Sequence, residues 1–292
     1  MSELVHIPDE FTVWAFSDTH GVKSGLVASL RQAGLIDAKG RWSAPAGTAL
    51  VGCGDYIDRG RDSAGVLDLL FRLREEATAA DSLVVLARGN HEEMLADTLN
   101  GLREPFKVWV SHFAGGLTTL ASLGITENDP DLHRGAPELA AALRQLHPQL
   151  ATRLALMPDA VIWRDVLFTH AGPVPGFGPA DLGPKTTAHL WDTPTLWQTH
   201  REECNLASRH YSAYHEAGIG RYVFGHTSHE EPALYQGGKA LCLDTNTSYG
   251  AFGVRTGLAT LARIPASGSL GAADFVFIDT RSAPDRGVRA DD

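Results

Sequence analysis

The chain has 292 residues, 43% apolar and 21% charged, an ordinary composition for a globular protein with ample core. Its formal net charge of −10 excludes a general binder of nucleic acid or of anionic membranes, since nothing in bulk attracts a polyanion. It does not exclude an anionic substrate, because bound cations invert a local field. Three cysteines, Cys53, Cys204 and Cys242, have no C-x-x-C spacing and cannot all pair, so no disulfide framework is expected. The acidic start lacks a basic-then-apolar leader, and no apolar run approaches the roughly 20 residues of a membrane span. A soluble, cytoplasmic protein is the expectation.

Residues 11–16 are a β-rich run ending in Ser17-Asp18-Thr19-His20-Gly21. The pattern predicts a helix over 23–33, with Leu26, Val27 and Leu30 on one face and Gly34 as its stop. Residues 35–47 read as a loop, and a second strand, 48–52, runs into Gly54-Asp55-Tyr56-Ile57-Asp58-Arg59-Gly60. A second helix over 63–79 turns Val66, Leu69, Leu70 and Leu73 inward and Asp68, Arg72, Glu75 and Glu76 outward. A third strand, 82–87, ends in Arg88-Gly89-Asn90-His91-Glu92. Strand, polar turn and helix recur three times, which implies an α/β fold with a largely parallel sheet here. Ligand sites in such sheets lie outside the carboxyl ends of the strands, where all three turns fall.

Residues 97–158 are helix-rich, with Leu139, Ala142, Leu143 and Leu146 at helical spacing, and read as an insertion on the α/β body. Within it, residues 109–124 look like part of a cap, with Gly115-Gly116 as a tight turn or helix start. Strands 160–163 and 166–169 form a hairpin signal and end at His170-Ala171-Gly172. The long irregular stretch 173–219 holds five of the fifteen prolines, and a loop of that length is usually functional. Short strands follow at 222–224, 240–243, 258–264 and 275–278, and their spacing suggests an antiparallel second sheet. Residues 282–292 are a polar tail that should fray. A single domain over 1–292 is expected, with its core at 11–96 and 159–280 and the helical cap at 97–158.

Five polar clusters each follow an apolar strand: Asp18-x-His20, Asp55-x-x-Asp58-Arg59-Gly60, Gly89-Asn90-His91-Glu92, His170-Ala171-Gly172 and Gly225-His226-Thr227. One strand-end Asp is an ordinary N-cap, and one strand-end His an ordinary polar side chain. Five such clusters at one structural position call for a common chemistry. Phosphoester hydrolysis supplies it: two metal ions about 3.5–4 Å apart lower the pKa of a bridging water and clamp the substrate oxygens. Mixed Asp, His and Asn ligands suit Mn²⁺, Fe²⁺ or Zn²⁺ better than Mg²⁺ or Ca²⁺. Bound divalent ions, with neighbouring arginines, would make a local field that favours a phosphate dianion.

In their order and spacing these clusters resemble the phosphoprotein phosphatase branch of the calcineurin-like metallophosphoesterases, and residues 109–124 with Gly225-His226-Thr227 resemble its bacterial and bacteriophage members. The resemblance implies a four-layer αββα sandwich of two mixed β-sheets flanked by helices. It implies that Asp18, His20 and Asp55 bind one metal, and Asp55, Asn90, His170 and His226 the other, with Mn²⁺ the expected ion. It implies a metal-bridging hydroxide as nucleophile, with His91 as general acid oriented by Asp58, and Arg59 and Arg88 on the phosphate. A carboxylate such as Asp58 fixing a histidine's tautomer from behind, and arginine as a bidentate phosphate ligand, both make physical sense.

The chain departs from the pattern at Ala171, where a glycine is common. It also lacks an obvious further phosphate-binding arginine, for which Arg201, Arg209 and Arg221 are candidates. Tyr249 sits where the eukaryotic branch has a substrate-facing tyrosine. The expected activity is a protein serine/threonine phosphatase acting on a phosphorylated protein or small phosphoester. The rival is a diadenosine tetraphosphatase-like or RNA-end-processing phosphohydrolase, weakened by the absence of Arg/Lys clusters for a polyphosphate tail. A non-catalytic binding module of the same fold is the alternative from another class.

Overall fold

The computed structural model describes residues 4–182, 188–191, 205–251 and 257–281. Its strands are β1 (Val5–Ile7), β2 (Thr12–Phe16), β3 (Thr48–Gly52), β4 (Leu83–Leu86), β5 (Val161–Trp163), β6 (Val166–Phe168), β7 (Arg221–Phe224), β8 (Ala233–Tyr235), β9 (Ala240–Cys242), β10 (Leu258–Arg263) and β11 (Asp274–Asp279). They make two mixed sheets, one in the order β11-β10-β2-β3-β4 and one in the order β1-β5-β6-β7-β9-β8.

Period-2 alternation on the strands explains why the two sheets stack. Val13 and Ala15 of β2, Ala49 and Val51 of β3 and Val85 of β4 face the other sheet, where they meet Val161, Val166, Phe168, Val223 and Leu241. The alternate residues Trp14, Phe16, Leu50, Val84 and Leu86 face helices instead. Helix α1 is Lys23–Gln32, α2 is Ser63–Ala79 and α3 is Asn90–Leu99. Helix α2 starts where it does because the Asp62 carboxylate accepts the Gly65 N–H, an N-cap. On the far side of the six-stranded sheet, Ile162, Leu167, Tyr222 and Phe224 pack against Tyr211 and Tyr214. The result is helix, sheet, sheet, helix, the four layers implied by the sequence.

Helices α4 (Arg103–Trp109), α5 (Gly116–Ser122), α6 (Pro130–Arg134), α7 (Ala136–Leu146) and α8 (Leu150–Ala155) occupy the segment expected to be a cap. Their Trp109, Leu120, Leu139, Leu143 and Leu154 belong to the same core as Leu26, Leu70 and Leu95 of α1–α3. This segment thickens the helical layer over the five-stranded sheet, and one edge of it reaches the site described below.

The late strands do not form a single antiparallel sheet. β7 pairs in parallel with both β6 and β9, whereas β10 pairs antiparallel with β2 and carries β11 into the first sheet. The reason is the partner each strand finds: β7 and β9 extend the hairpin β5–β6, and β10 closes the open edge of β2. Two edge strands, β1 and β8, were not foreseen. The tail at 282–292 lies outside the described residues. Of the cysteines, Cys53 and Cys242 are buried and free, and Cys204 lies outside the described residues.

Candidate metal centre

The clusters after β2, β3, β4, β6 and β7 come together at the carboxyl ends of the two sheets. The backbone there is unusual. Asp18, His20, Asp55, Asp58, Arg59 and His226 all have positive φ, from 42° to 72°, the left-handed region that side-chain-bearing residues rarely adopt. Each such turn aims its side chain back over the strand end. Gly54, with φ 96°, is required by closeness as well: a Cβ there would lie 2.7 Å from both the Gly89 backbone and the His170 ring. One carboxylate locks two turns together. Glu92 at the start of α3 accepts the N–H groups of Gly89 and Asp55 at one oxygen, each at 2.9 Å. Its other oxygen accepts those of Tyr56 and Ile57, at 2.8 and 3.3 Å. Burial and the nearby Asp55 push the Glu92 carboxyl up to about 7, against the pull of these donors.

Asp55 is the centre of the cluster. Its Oδ2 lies 3.6 Å from His20 Nε2 and 3.7 Å from His91 Nε2, and its Oδ1 lies 3.3 Å from His170 Nε2. Two groups of ligand-type atoms therefore share it: His20, Asp55 and His91, and Asp55, His170 and His226, each within 4.8 Å. In the second group Asn90 Oδ1 stands 2.8 Å from His170 Nε2 and 3.1 Å from His226 Nδ1. Asp18 lies 3.9 Å from His20 Nε2, and its oxygens accept the His226 N–H at 3.0 and 3.2 Å.

Hydrogen bonds behind the imidazoles decide what faces the centre. His170 Nδ1 donates to the Cys53 carbonyl at 2.8 Å, and His20 Nδ1 donates to the Ile57 carbonyl at 2.9 Å. A carbonyl only accepts, so the proton sits on Nδ1 and Nε2 turns a lone pair inward. His170 Nε2 then faces Asn90 Oδ1 and Asp55 Oδ1, acceptor against acceptor, an arrangement that a divalent cation satisfies. The residues fit the metal pair that the sequence implied.

The charges show the same crowding. Burial opposes ionisation of Asp55, but His170, His91 and His20 outweigh it and hold the carboxyl well below its usual range. Burial and the carboxylate of Asp244 raise Asp18 well above its usual range. Burial and His170 push His226 down to about 4. His170 itself, despite burial, is pulled up to about 10 by Asp55 and Asp18.

His91 is held from behind by Asp58, whose Oδ2 accepts from His91 Nδ1 at 2.6 Å. Burial works against a charge on this imidazole, yet Asp55 and Asp58 leave its pKa raised. Asp58 is fixed in turn by Trp109 Nε1 at 2.9 and 3.0 Å and by the Thr119 hydroxyl at 2.6 Å. Arg59 closes this side, its guanidinium 2.6 Å from His20 Nε2 and 3.4 Å from His91 Nε2.

Asp18, His20, Asp55, Asp58, Arg59, Asn90, His91, His170 and His226 are thus gathered at one place. Arg221, expected on the phosphate, is not among them. Its guanidinium is bound by both oxygens of Asp165, at 2.5 and 2.9 Å, and by the carbonyls of Pro265 and Ala266. It starts β7, whereas His226 follows that strand's other end, so it has neither free donors nor the right position. Arg88 forms a close ion pair with buried Asp159 through one of its guanidinium nitrogens. Arg209 is exposed on the turn Arg209–Tyr211, and Arg201 lies outside the described residues. Tyr249 lines a cavity together with Arg59.

Sequence reading assigned no role to Glu92, Trp109, Thr119 or Asp244. Glu92 was visible inside Gly-Asn-His-Glu, and its spacing from Gly89 is that of a capping box. Trp109 and Thr119 meet Asp58 across 51 and 61 positions, which leaves no local signal.

Residues 11–229, more than half of the chain, match the calcineurin-like phosphoesterase family, and the chain belongs to it. Shewanella-like protein phosphatase 2 of Arabidopsis thaliana is 30% identical over 179 residues, 54% of this chain and 45% of that protein. Serine/threonine-protein phosphatase 1 of Salmonella typhimurium is 38% identical over 85 residues, 29% of this chain and 32% of that protein. These relatives support the phosphoprotein phosphatase branch of the family, although this chain spans less than half the length of each. Among solved structures, the cold-active protein-tyrosine phosphatase of a psychrophilic Shewanella has a TM-score of 0.57 at 19% identity, over 93% of this chain and 83% of that one. At that identity the likeness is one of fold.

Proposed function

We propose that the chain is a dinuclear metal-dependent phosphomonoesterase that removes phosphate from serine or threonine in phosphoproteins. The observation that carries this reading is Asp55, one carboxylate shared by two groups of ligand-type side chains, with His20 and His91 on one side and His170 and His226 on the other. Asp18, His20 and Asp55 would hold one ion, and Asp55, Asn90, His170 and His226 the other. Mn²⁺ is the preferred ion for this nitrogen and oxygen set, with Fe or Zn as alternatives. Bound there, the pair would supply a water-derived nucleophile at neutral pH and neutralise phosphoryl charge.

The chain's own residues do the rest. Arg59 offers a forked donor to the phosphoryl oxygens beside His20 and His91. His91, its Nδ1 committed to Asp58, holds its acidic proton at Nε2, from where it can protonate the leaving oxygen. Asp58 positions that ring and favours its charged form, and Trp109 and Thr119 keep Asp58 from turning away. The work falls to a single domain. No described helix is long and apolar enough to cross a membrane, in keeping with a cytoplasmic setting.

The test compares Mn²⁺-loaded protein on a phosphothreonine peptide, a phosphotyrosine peptide and a dinucleoside polyphosphate, with a chelated control. The phosphothreonine peptide should show the highest kcat/KM, and chelation should abolish turnover. Preference for the dinucleotide would replace this reading with a nucleotide phosphohydrolase. Two bound ions without turnover of any substrate would leave a binding module.

A further inference from the structure

A cavity of about 620 Å³ opens beside Arg59, outside the cluster of metal-ligand residues. Its walls include Arg59, His112, Phe113, Leu117, Glu127 and Tyr249. Its size is that of a binding site for a small ligand or a short peptide segment. Arg59 belongs both to this cavity and to the phosphate position, so whatever is joined to the phosphate has this space next to it.

The lining is uneven in charge. Arg59 places a guanidinium at one end. Phe113, Leu117 and Tyr249 make an apolar and aromatic wall. Phe113 is 87% exposed, an unusual state for a phenylalanine on a well-held loop. The loop is well held: the Gly115 N–H donates to the Ser111 carbonyl at 3.0 Å, and the Arg59 N–H donates to the Gly115 carbonyl at 3.4 Å. Glu127 supplies a carboxylate to the lining. Its backbone carbonyl is fixed by His133 Nε2 at 2.8 Å, while its side chain makes no ion pair among the described residues.

A phosphopeptide matches this pattern when a cationic side chain flanks the phosphorylated residue. The phosphate meets Arg59, the methylenes of a lysine or arginine cross Leu117, and the cationic head meets Glu127 near the faces of Phe113 and Tyr249. An acidic neighbour would meet like charge at Glu127. An apolar neighbour would cover Glu127 and leave its carboxylate desolvated and unpaired. The chain's net charge of −10 also draws basic peptides toward the surface.

We propose that this cavity is a subsite for an arginine or lysine close to the phosphorylated residue, with Glu127 as the residue that selects it and Phe113 as its wall. The proposal rests on the phosphopeptide reading above and adds to it the class of sequence preferred. Neither Glu127 nor Phe113 touches the metal-ligand cluster, so changes there leave the chemistry in place.

The experiment uses the full chain loaded with Mn²⁺ and a set of peptides carrying a non-hydrolysable phosphonate in place of phosphothreonine. Members differ only in having Arg, Ala or Glu at one of the three positions on either side. Affinity is read by fluorescence anisotropy at low salt, and hydrolysis of the phosphate versions and of an aryl phosphate is followed in parallel. At one or more positions the Arg peptide should bind about 5–10-fold more tightly than the Glu peptide, the range of a partly exposed charge contact. Glu127→Gln should abolish that ratio and Glu127→Lys should invert it, with aryl phosphate turnover unchanged in both. Phe113→Ala should weaken all the peptides and leave the aryl phosphate unaffected.

An Arg/Glu ratio near one in the wild type, or one that Glu127→Lys does not move, overturns the subsite. A preference that follows a phosphotyrosine ring rather than flanking charge also overturns it, by giving the cavity a different occupant. Binding is read without turnover, so loss of aryl phosphate hydrolysis in the wild type would count against the phosphatase reading and leave the subsite result standing on its own.

Discussion

The two halves of the metal-ligand cluster share Asp55 but are built differently. On one side His170 is fully buried, its Nδ1 tied to the Cys53 carbonyl and its Nε2 beside Asn90 Oδ1 and His226 Nδ1. On the other side His20 and His91 stand beside a guanidinium, and a chain of Asp58, Trp109 and Thr119 backs one of the rings. In the proposed function the first half holds a cation, and the second also grips an anion and delivers a proton, so that one cluster separates holding from reacting.

The strongest way to break that separation is Asp55→Asn, which touches both halves. Elemental analysis should find both ions depleted, and activity should fall on the order of 10⁴-fold. An unchanged metal content would show that the halves do not depend on one carboxylate. His91→Ala acts on the reacting half alone. It should keep both ions and lose about 10²–10⁴-fold in kcat on alkyl phosphates, with a smaller loss on aryl phosphates, whose leaving oxygen needs little protonation. Equal losses on the two substrate types would remove His91 from the proton transfer. Arg59→Lys keeps the charge and loses the fork. KM for phosphopeptide should rise about tenfold with metal content intact, as expected for one charge-assisted hydrogen bond. The smallest effect belongs to Trp109→Phe, which removes one donor to Asp58 and leaves Thr119. Stability measured by urea unfolding should drop by about 0.5–1.5 kcal/mol, and the alkyl-to-aryl rate ratio should fall modestly.

Much of this arrangement was legible in the sequence because it is written locally. Each ligand-bearing turn follows its own apolar strand, and α2 begins and ends where its spacing and its Asp62 cap require. What depended on distant partners was not legible. The residues of β7 and β10 carry similar apolar patterns, and nothing in either says that one pairs in parallel with β6 and the other antiparallel with β2. Arg221 stands close in sequence to Gly225-His226-Thr227. A strand of four residues nevertheless separates the two ends of the sheet, and Asp165 waits at the wrong one. Arg88 directly precedes one of these turns, and its ion pair with Asp159, 71 residues away, had no local signal. The helical segment shows the same limit: its periodicity predicted helices, but not that Trp109 would be buried against Asp58.

The left-handed turns have a thermodynamic side. Six residues of the cluster hold a backbone conformation that costs of order 1–3 kcal/mol each, less for aspartate. Glycine would relieve that cost at every one of them and would delete the side chain that matters. The protein therefore carries a standing load at this point, borne by the two-sheet core beneath it. Asp81, equally left-handed at φ 51° but outside the cluster, is where glycine would relieve strain without touching a ligand.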